Sequence, residues 1–401
     1  MTRPLYLDFQ ATTPVDQGVL AAMLPYFSDD FGNPHASEHQ YGQSAAQAIA
    51  KARADVAKLI GARSSEIIFT SGATEANNLL LKSAAHMMAD RGRRRIVSAA
   101  TEHKAVIEVL ARLGKQGFEV VWADVGSDGL VSIANLDKLV DEATALVTIM
   151  AVNNEIGVIQ DLATIGHICR ERGAIFHSDA AQAAGKIPLD VGHAAIDLMS
   201  LSAHKFYGPK GIGAAYIRRS LQRDLAPQID GGGQEAGLRA GTLPTPLCVG
   251  IGAASALAAA TMAGERTHLL CLQEAFLEEL SARGAKFAVN GTLDRRWPGN
   301  LNLSFEGVDA EALVMAVSDR IAISSGSACT AEALEPSHVL RALGFGAERT
   351  EGAVRIGFGR STTLDEVNRA ARVLADSATG LAQISRSAEW KDEGVYGNAA
   401  E

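Results

Sequence analysis

One apolar run of the chain closes on a lysine, in the segment Leu201-Ser-Ala-His-Lys-Phe-Tyr-Gly-Pro-Lys-Gly211. An ammonium group at the buried end of a strand carries a large desolvation penalty, so Lys205 must snorkel to water, find a partner or carry a covalent group. Ser202 and His204 put hydroxyl and imidazole donors beside it, and Gly208, Gly211 and Gly213 let backbone pass close to a ligand. An aldehyde cofactor held by the lysine amine, with donors for its phosphate alongside, needs this combination.

Three further clusters end apolar runs in the same way. Phe69-Thr-Ser-Gly-Ala-Thr-Glu-Ala76 leads into a helical pattern, where the amides near Ala73 and Thr74 at the positive helix end could hold an anion. The same segment reads equally as an ordinary helix start with Glu75 in the first turn. His177-Ser-Asp-Ala-Ala-Gln182 places a carboxylate, Asp179, where it wants a cation such as a protonated pyridine nitrogen, with Gln182 set to reach a ring hydroxyl. A helix cap is the plainer reading of that aspartate. Asn153-Asn154-Glu155-Ile-Gly157 closes a fourth run. Four polar clusters at the C-terminal ends of neighbouring parallel strands meet at one crevice.

The elements that would position them are set by periodicity. Strands are expected at 66–70, 95–99, 119–124, 146–153, 174–178, 198–202 and 213–217, with helical patterns between them at 43–60, 74–90 and 162–172. Near-continuous apolar strands alternating with helices predict an α/β fold, a mainly parallel seven-stranded sheet covered on both faces. After an Ala-rich helix around 254–263, runs at 287–290, 300–305, 321–324 and 354–358 alternate with helices 310–319 and 364–381, a smaller α+β unit. The expected division is 16–260 for the large domain, and 1–15 with 261–401 for the small one.

At 401 residues, 47% hydrophobic and 21% charged, the chain suits two globular units. A formal net charge of −9 argues against nucleic acid as a partner. No signal-length apolar segment opens the chain and no 18-residue apolar stretch is read later, so a cytoplasmic protein without a membrane partner is expected. Cys169, Cys248, Cys271 and Cys329 show neither zinc spacing nor a disulfide framework. The first three fall in helical apolar patterns and read as apolar filler. Cys329 lies among Ser324, Ser325, Gly326, Ser327 and Ala328, small residues that cannot pack tightly, and it is the candidate reactive thiol.

The segments YLDFQATTP, FGNPHASEH, TSGATEANN, TEHKAV, VNNEIGVIQD, HSDAAQAAGK, SAHKFYGPKG, GLRAGTLP, SSGSACTAEALEPSHVLRALG and RIGFGR succeed one another from about residue 5 to 385. In order and spacing the chain resembles the cysteine desulfurases, pyridoxal-phosphate enzymes of the class V aminotransferase type. It is most similar to their long-loop class, which carries Ser-Ser-Gly-Ser-Ala-Cys. The resemblance implies a PLP-dependent transferase of fold type I. It departs at Glu351, where the family commonly has histidine, and at Ile356-Gly357, where it has Phe-Ser.

The resemblance also implies roles. Lys205 would carry pyridoxal 5'-phosphate as a Schiff base and shuttle a proton. Asp179 would pair with the ring nitrogen, and Gln182 and Asn154 would contact the ring hydroxyl and the substrate side. Ala73, Thr74, Ser202 and His204 would bind phosphate, joined by Thr242 from the second subunit of a homodimer. His103, otherwise a capping or surface histidine, would stack on the ring and move protons. Arg355 would clamp the substrate carboxylate, and Cys329 would take sulfur from L-cysteine as a persulfide. The implied acceptor is a protein such as an iron–sulfur scaffold, and no metal is expected. A selenocysteine lyase or another pyridoxal-phosphate enzyme on the same fold is the alternative.

Overall fold

The computed structural model describes residues 3–325 and 337–395, with side chains of the last helix as far as Ile384. A two-residue strand, β1 (Leu5–Tyr6), comes first. Seven longer strands then build the main sheet: β2 (Ile67–Thr70), β3 (Arg95–Ala99), β4 (Glu119–Ala123), β5 (Thr144–Thr148), β6 (Ile175–Asp179), β7 (Leu198–Ser202) and β8 (Gly213–Ile217). Their spatial order is β2-β8-β7-β6-β5-β3-β4. The pairs β3–β4, β3–β5, β5–β6 and β6–β7 are parallel, and β8 runs antiparallel between β7 and β2.

The strands are apolar throughout because both faces are covered. Ile96, Leu146 and Ile175 turn to one side, into a core with Leu79, Leu80 and Leu110 from helices Ala73–Ala89 and Lys104–Gly114. Val97, Val147 and Phe176 turn to the other, towards Ile165 of helix Leu162–Arg172. The run expected at 146–153 leaves the sheet earlier, at Thr148. Its last residues are needed elsewhere: Asn153 Oδ1 accepts the amides of Glu155 (2.8 Å) and Ile156 (3.0 Å), closing a side-chain-capped turn that presents Asn154.

Helix Thr245–Ala282 carries the chain from this sheet to the next and passes residue 260 without a break. One window of it has a mean hydropathy of 1.7, apolar and long enough to cross a membrane, contrary to the expectation that no such stretch exists. Here it is a core helix packed on helices Gln17–Met23, Gln40–Leu59 and Leu364–Val395. A Cβ on Gly252 would lie 2.5 Å from the Cα of Ala52, so that contact depends on glycine. Cys169 and Cys248 are buried filler as expected, and burial pushes both thiols up, Cys248 to about 12. Cys271 differs: it is exposed, on a side of the long helix turned away from the core.

The second sheet contains β9 (Phe287–Val289) and β10 (Asn300–Phe305). A short pair comes next, β11 (Ile321–Ala322), which pairs in parallel with β1, and β12 (Ser324–Ser325). With β13 (Ala353–Gly357) the sheet runs β12-β13-β10-β9, all antiparallel. The departure at Gly357 has a local cause. A Cβ there would fall 1.8 Å from Gln10 Oε1, so the glycine makes room for Gln10 as residues 8–10 pass over β13.

A second close approach supports the site from below. A Cβ on Gly213, the first residue of β8, would lie 2.4 Å from the carbonyl of Leu201 and 2.6 Å from the Cα of Gly72. Gly213→Ala should therefore destabilise the protein by about 1–3 kcal/mol. Thermal unfolding against wild type measures it, and an unchanged midpoint would mean that the turn at Gly72 yields freely.

Candidate functional site

The C-terminal ends of β2, β3, β5, β6 and β7 open on one side of the main sheet, and the turns after them line a cavity of about 400 Å³. The cavity brings together Ala73, Thr74, His103, Asn154, Asp179, Gln182, Ser202, His204 and Lys205 from the strand ends. Arg355 joins them from the second sheet. Thr242 is not among the lining residues: it is exposed, in the loop before helix Thr245–Ala282. That loop is tied back to the cavity by Arg239, whose guanidinium pairs with Glu75 at 2.9 Å. Cys329 lies outside the described residues. Beyond that stretch, Ser337 donates to Glu155 (2.5 Å) and His338 reaches the carbonyl of Glu102 (2.9 Å).

Lys205 closes a short 3-10 turn directly after β7. Its amine donates to the main-chain carbonyls of Gln10 and Ala11, both at 2.8 Å. These two carbonyls anchor the amine at the mouth of the cavity. His204 meets Thr12 Oγ1 at 3.1 Å, and burial, then the cations Lys205, Lys210 and Lys186, push its pKa down to about 4. The ring is neutral at pH 7 and can donate one hydrogen bond to an anion.

At the start of helix Ala73–Ala89, Gly72 provides no side-chain cap. Its first amides have no intrahelical acceptors and need partners from outside. Glu75 accepts the amide of Ser71 at 2.8 Å, so the plainer reading of this segment holds as well and leaves the amides of the first turn to the cavity. With Ser202 (4% exposed) and His204 alongside, the donor set suits a phosphate.

Asp179, the last residue of β6, is 4% exposed. It accepts from Asn77 Nδ2 (2.7 Å) and from the amide of Ala181 (2.9 Å), so the buried carboxylate has two donors. The side chain caps a turn, not the helix that the plainer reading expected, and it also lines the cavity. Gln182 donates to the carbonyl of Gln10 (2.9 Å) and accepts from Lys186 (2.6 Å). Among the described residues Asn154 Oδ1, Asn77 Oδ1 and Arg355 Nε are buried without hydrogen-bond partners, a concentration of unmet polar atoms on cavity residues. That is expected where a polar ligand completes the structure.

His103 caps helix Lys104–Gly114, as the plainer reading expected, and it also lines the cavity. Its Nδ1 accepts the amide of Ala105 at 3.0 Å, so in the neutral ring the proton sits on Nε2. Burial lowers its pKa; Asp179 opposes that and Lys205 adds to it. Arg355, 2% exposed, pairs with Asp8 at 2.8 Å and touches the carbonyl of Asn154 at 3.4 Å. Asp8 is held in turn by Ser324 (2.8 Å). Asp8, Gln10, Asn77 and Lys186 were missed as site residues. All four lie inside the segments that carried the resemblance, and that was their only signal. Among the described residues no group of three or more His, Cys, Asp or Glu side chains could hold a metal.

Sheet order, the strand-end lysine and the second sheet together make this a fold-type-I transferase. The aminotransferase class-V model matches residues 5–370, and the chain belongs to that family, in its cysteine desulfurase branch. The cysteine desulfurase IscS of Rickettsia africae is 47% identical over 395 residues, spanning 98% of this chain and 96% of that protein. A solved NifS-like protein superposes with a TM-score of 0.88 at 36% identity, covering 94% of this chain and all of that one. A structure described as SspA in complex with cysteine gives 0.78 at 37% identity, covering 90% and 100%. Enzymes of this family work with pyridoxal phosphate.

Behind Asp179, His177 is fully buried between Thr148 Oγ1 (2.8 Å) and Ser200 Oγ (3.1 Å), bridging β5, β6 and β7. Burial pushes its pKa from 6.5 down to about 4, with Asp179 opposing. On acidification the unfolded chain takes this proton first, so stability is lost as pH falls from about 6.5 towards 4. By pH 4.5 the loss should reach ~2–3 kcal/mol. Denaturant unfolding at pH 7 and 4.5 should show it, with a correspondingly smaller fall in His177→Asn.

Proposed function

We propose that this protein is a cysteine desulfurase: it converts L-cysteine to L-alanine and passes the sulfur, by way of a persulfide on Cys329, to an acceptor protein of iron–sulfur cluster assembly. The observation that carries this reading is the meeting of Lys205, Asp179 and Arg355 in one cavity from three distant parts of the chain. An amine, a carboxylate and a guanidinium there match the aldehyde, the ring nitrogen and a substrate carboxylate. The relatives named above, a cysteine desulfurase and a protein bound to cysteine, support the choice of substrate.

The residues present fit pyridoxal phosphate. The amides at Ala73 and Thr74, with Ser202 and His204, would hold its phosphate. Thr242 of a second copy would add a contact, consistent with its exposed position and with a homodimer acting in the cytoplasm. Asp179, steadied by Asn77, would face the ring nitrogen, and Gln182 and Asn154 the ring oxygen. When bound, this cofactor supplies an electron sink for the charge left by removing an amino acid's Cα proton.

The chain's own residues do the rest. Arg355 binds the substrate carboxylate through the nitrogens that Asp8 leaves free. Lys205, released from the carbonyls of Gln10 and Ala11, removes and returns protons. His103 lines the cavity and is the acceptor for the Cys329 thiol proton. The Cys329 thiolate takes the substrate sulfur: an S–S bond forms, the C–S bond breaks and the carbon gains a proton to give alanine. Division into a large unit ending near residue 260 and a small unit carrying residues 1–15 and the Cys329 segment completes the proposal.

With cofactor bound, Cys329→Ala should stay yellow but release no sulfide from cysteine under reductant, and normal turnover would sink the assignment. Lys205→Ala should lose the wild-type absorption band. Arg355→Lys should raise KM for cysteine by roughly tenfold or more, because a point charge replaces a two-pronged donor.

A further inference from the structure

Lys186 is a lysine with no role so far, 6% exposed, one turn beyond Gln182. Its amine donates to Gln182 Oε1 at 2.6 Å. Burial, then the cations Lys205 and Arg355, push its pKa down to about 7, and Glu265 on the long helix is the opposing acid. A lysine in such surroundings needs a reason to be retained over an apolar residue.

The hydrogen bonds supply one. A carboxamide can be reversed by half a turn, and only its partners decide which end carries the donor. The Gln10 carbonyl can only accept, and it faces Gln182 Nε2 at 2.9 Å. That carbonyl is shared with Lys205, whose amine must leave it to react. Lys186 is the partner that stays, and an amine donates whether charged or neutral. The second N–H of Gln182 is thereby left for the cavity that the residue lines.

We infer that Lys186 is a positioning residue: it holds the Gln182 amide so that a donor, never an acceptor, meets the ring oxygen of the bound cofactor. This rests on the cofactor reading above. A donor on that oxygen competes with the proton the oxygen shares in the chromophore, so losing the donor moves the chromophore's protonation midpoint upward.

The test uses the full-length protein loaded with pyridoxal phosphate and reads the absorption band against pH. Lys186→Met should raise the midpoint by roughly half a unit to one unit and weaken cofactor retention roughly three- to tenfold. In a Gln182→Ala background the same change should add nothing, because the two residues act as one unit. Lys186→Gln, which keeps a neutral donor, should stay near wild type; if Lys186→Met fails to fold, Lys186→Ala compared with Lys186→Gln gives the same contrast. An unshifted midpoint overturns the inference, as does an equal shift with and without Gln182, which would mean that Lys186 acts only as a distant charge. A wild-type protein that takes up no chromophore would fail the cofactor reading itself, and the inference with it.

Discussion

The contact on which the site depends is the one between the Lys205 amine and the main-chain carbonyls of Gln10 and Ala11. It ties the end of β7 to the first stretch of the chain. That stretch is tied in turn to both sheets: Asp8 to Arg355, Gln10 to Gly299 and Gln182, Thr12 and Thr13 to His204 and Tyr207. Residues 8–13 thus form a strap that places the second sheet's arginine over the main sheet's strand ends. The two carbonyls hold the lysine at the meeting point of strap and strand end.

Burial then sorts the charged groups by partner. Asp179 has two donors and Arg355 has Asp8, so each buried group has its polar partner. Burial holds His177 and His204 neutral. His103 sits between these cases, its ring fixed by the helix it caps. The cavity therefore has a set pattern of donors, acceptors and charge before any ligand arrives, which lowers the reorganisation needed on binding.

The main sheet was legible because strands covered on both faces must be apolar, and seven such runs stand out between helical patterns. Where the reading slipped, a side chain had overruled the pattern. The run through Asn153 looked like strand until its carboxamide captured two backbone amides. The long helix reads as apolar enough for a membrane because its small residues are there to admit Ala52 and its neighbours. Cys271 matched an apolar period on a helix so apolar that one exposed position is invisible in it.

The sequence by itself determined the strand-end chemistry: Lys205 after one apolar run, Asp179 after another, and the glycine-opened helix at Ala73. These are local, since each depends on where a strand stops and on the few residues next in the chain. Only the tertiary structure decided which distant groups complete them. Asp8 on Arg355, Asn77 on Asp179, the Gln10 carbonyl on Lys205 and Lys186 on Gln182 are contacts of shape and distance. A residue's type says what it can donate or accept; the packing of the strap and the two sheets determines which group it meets.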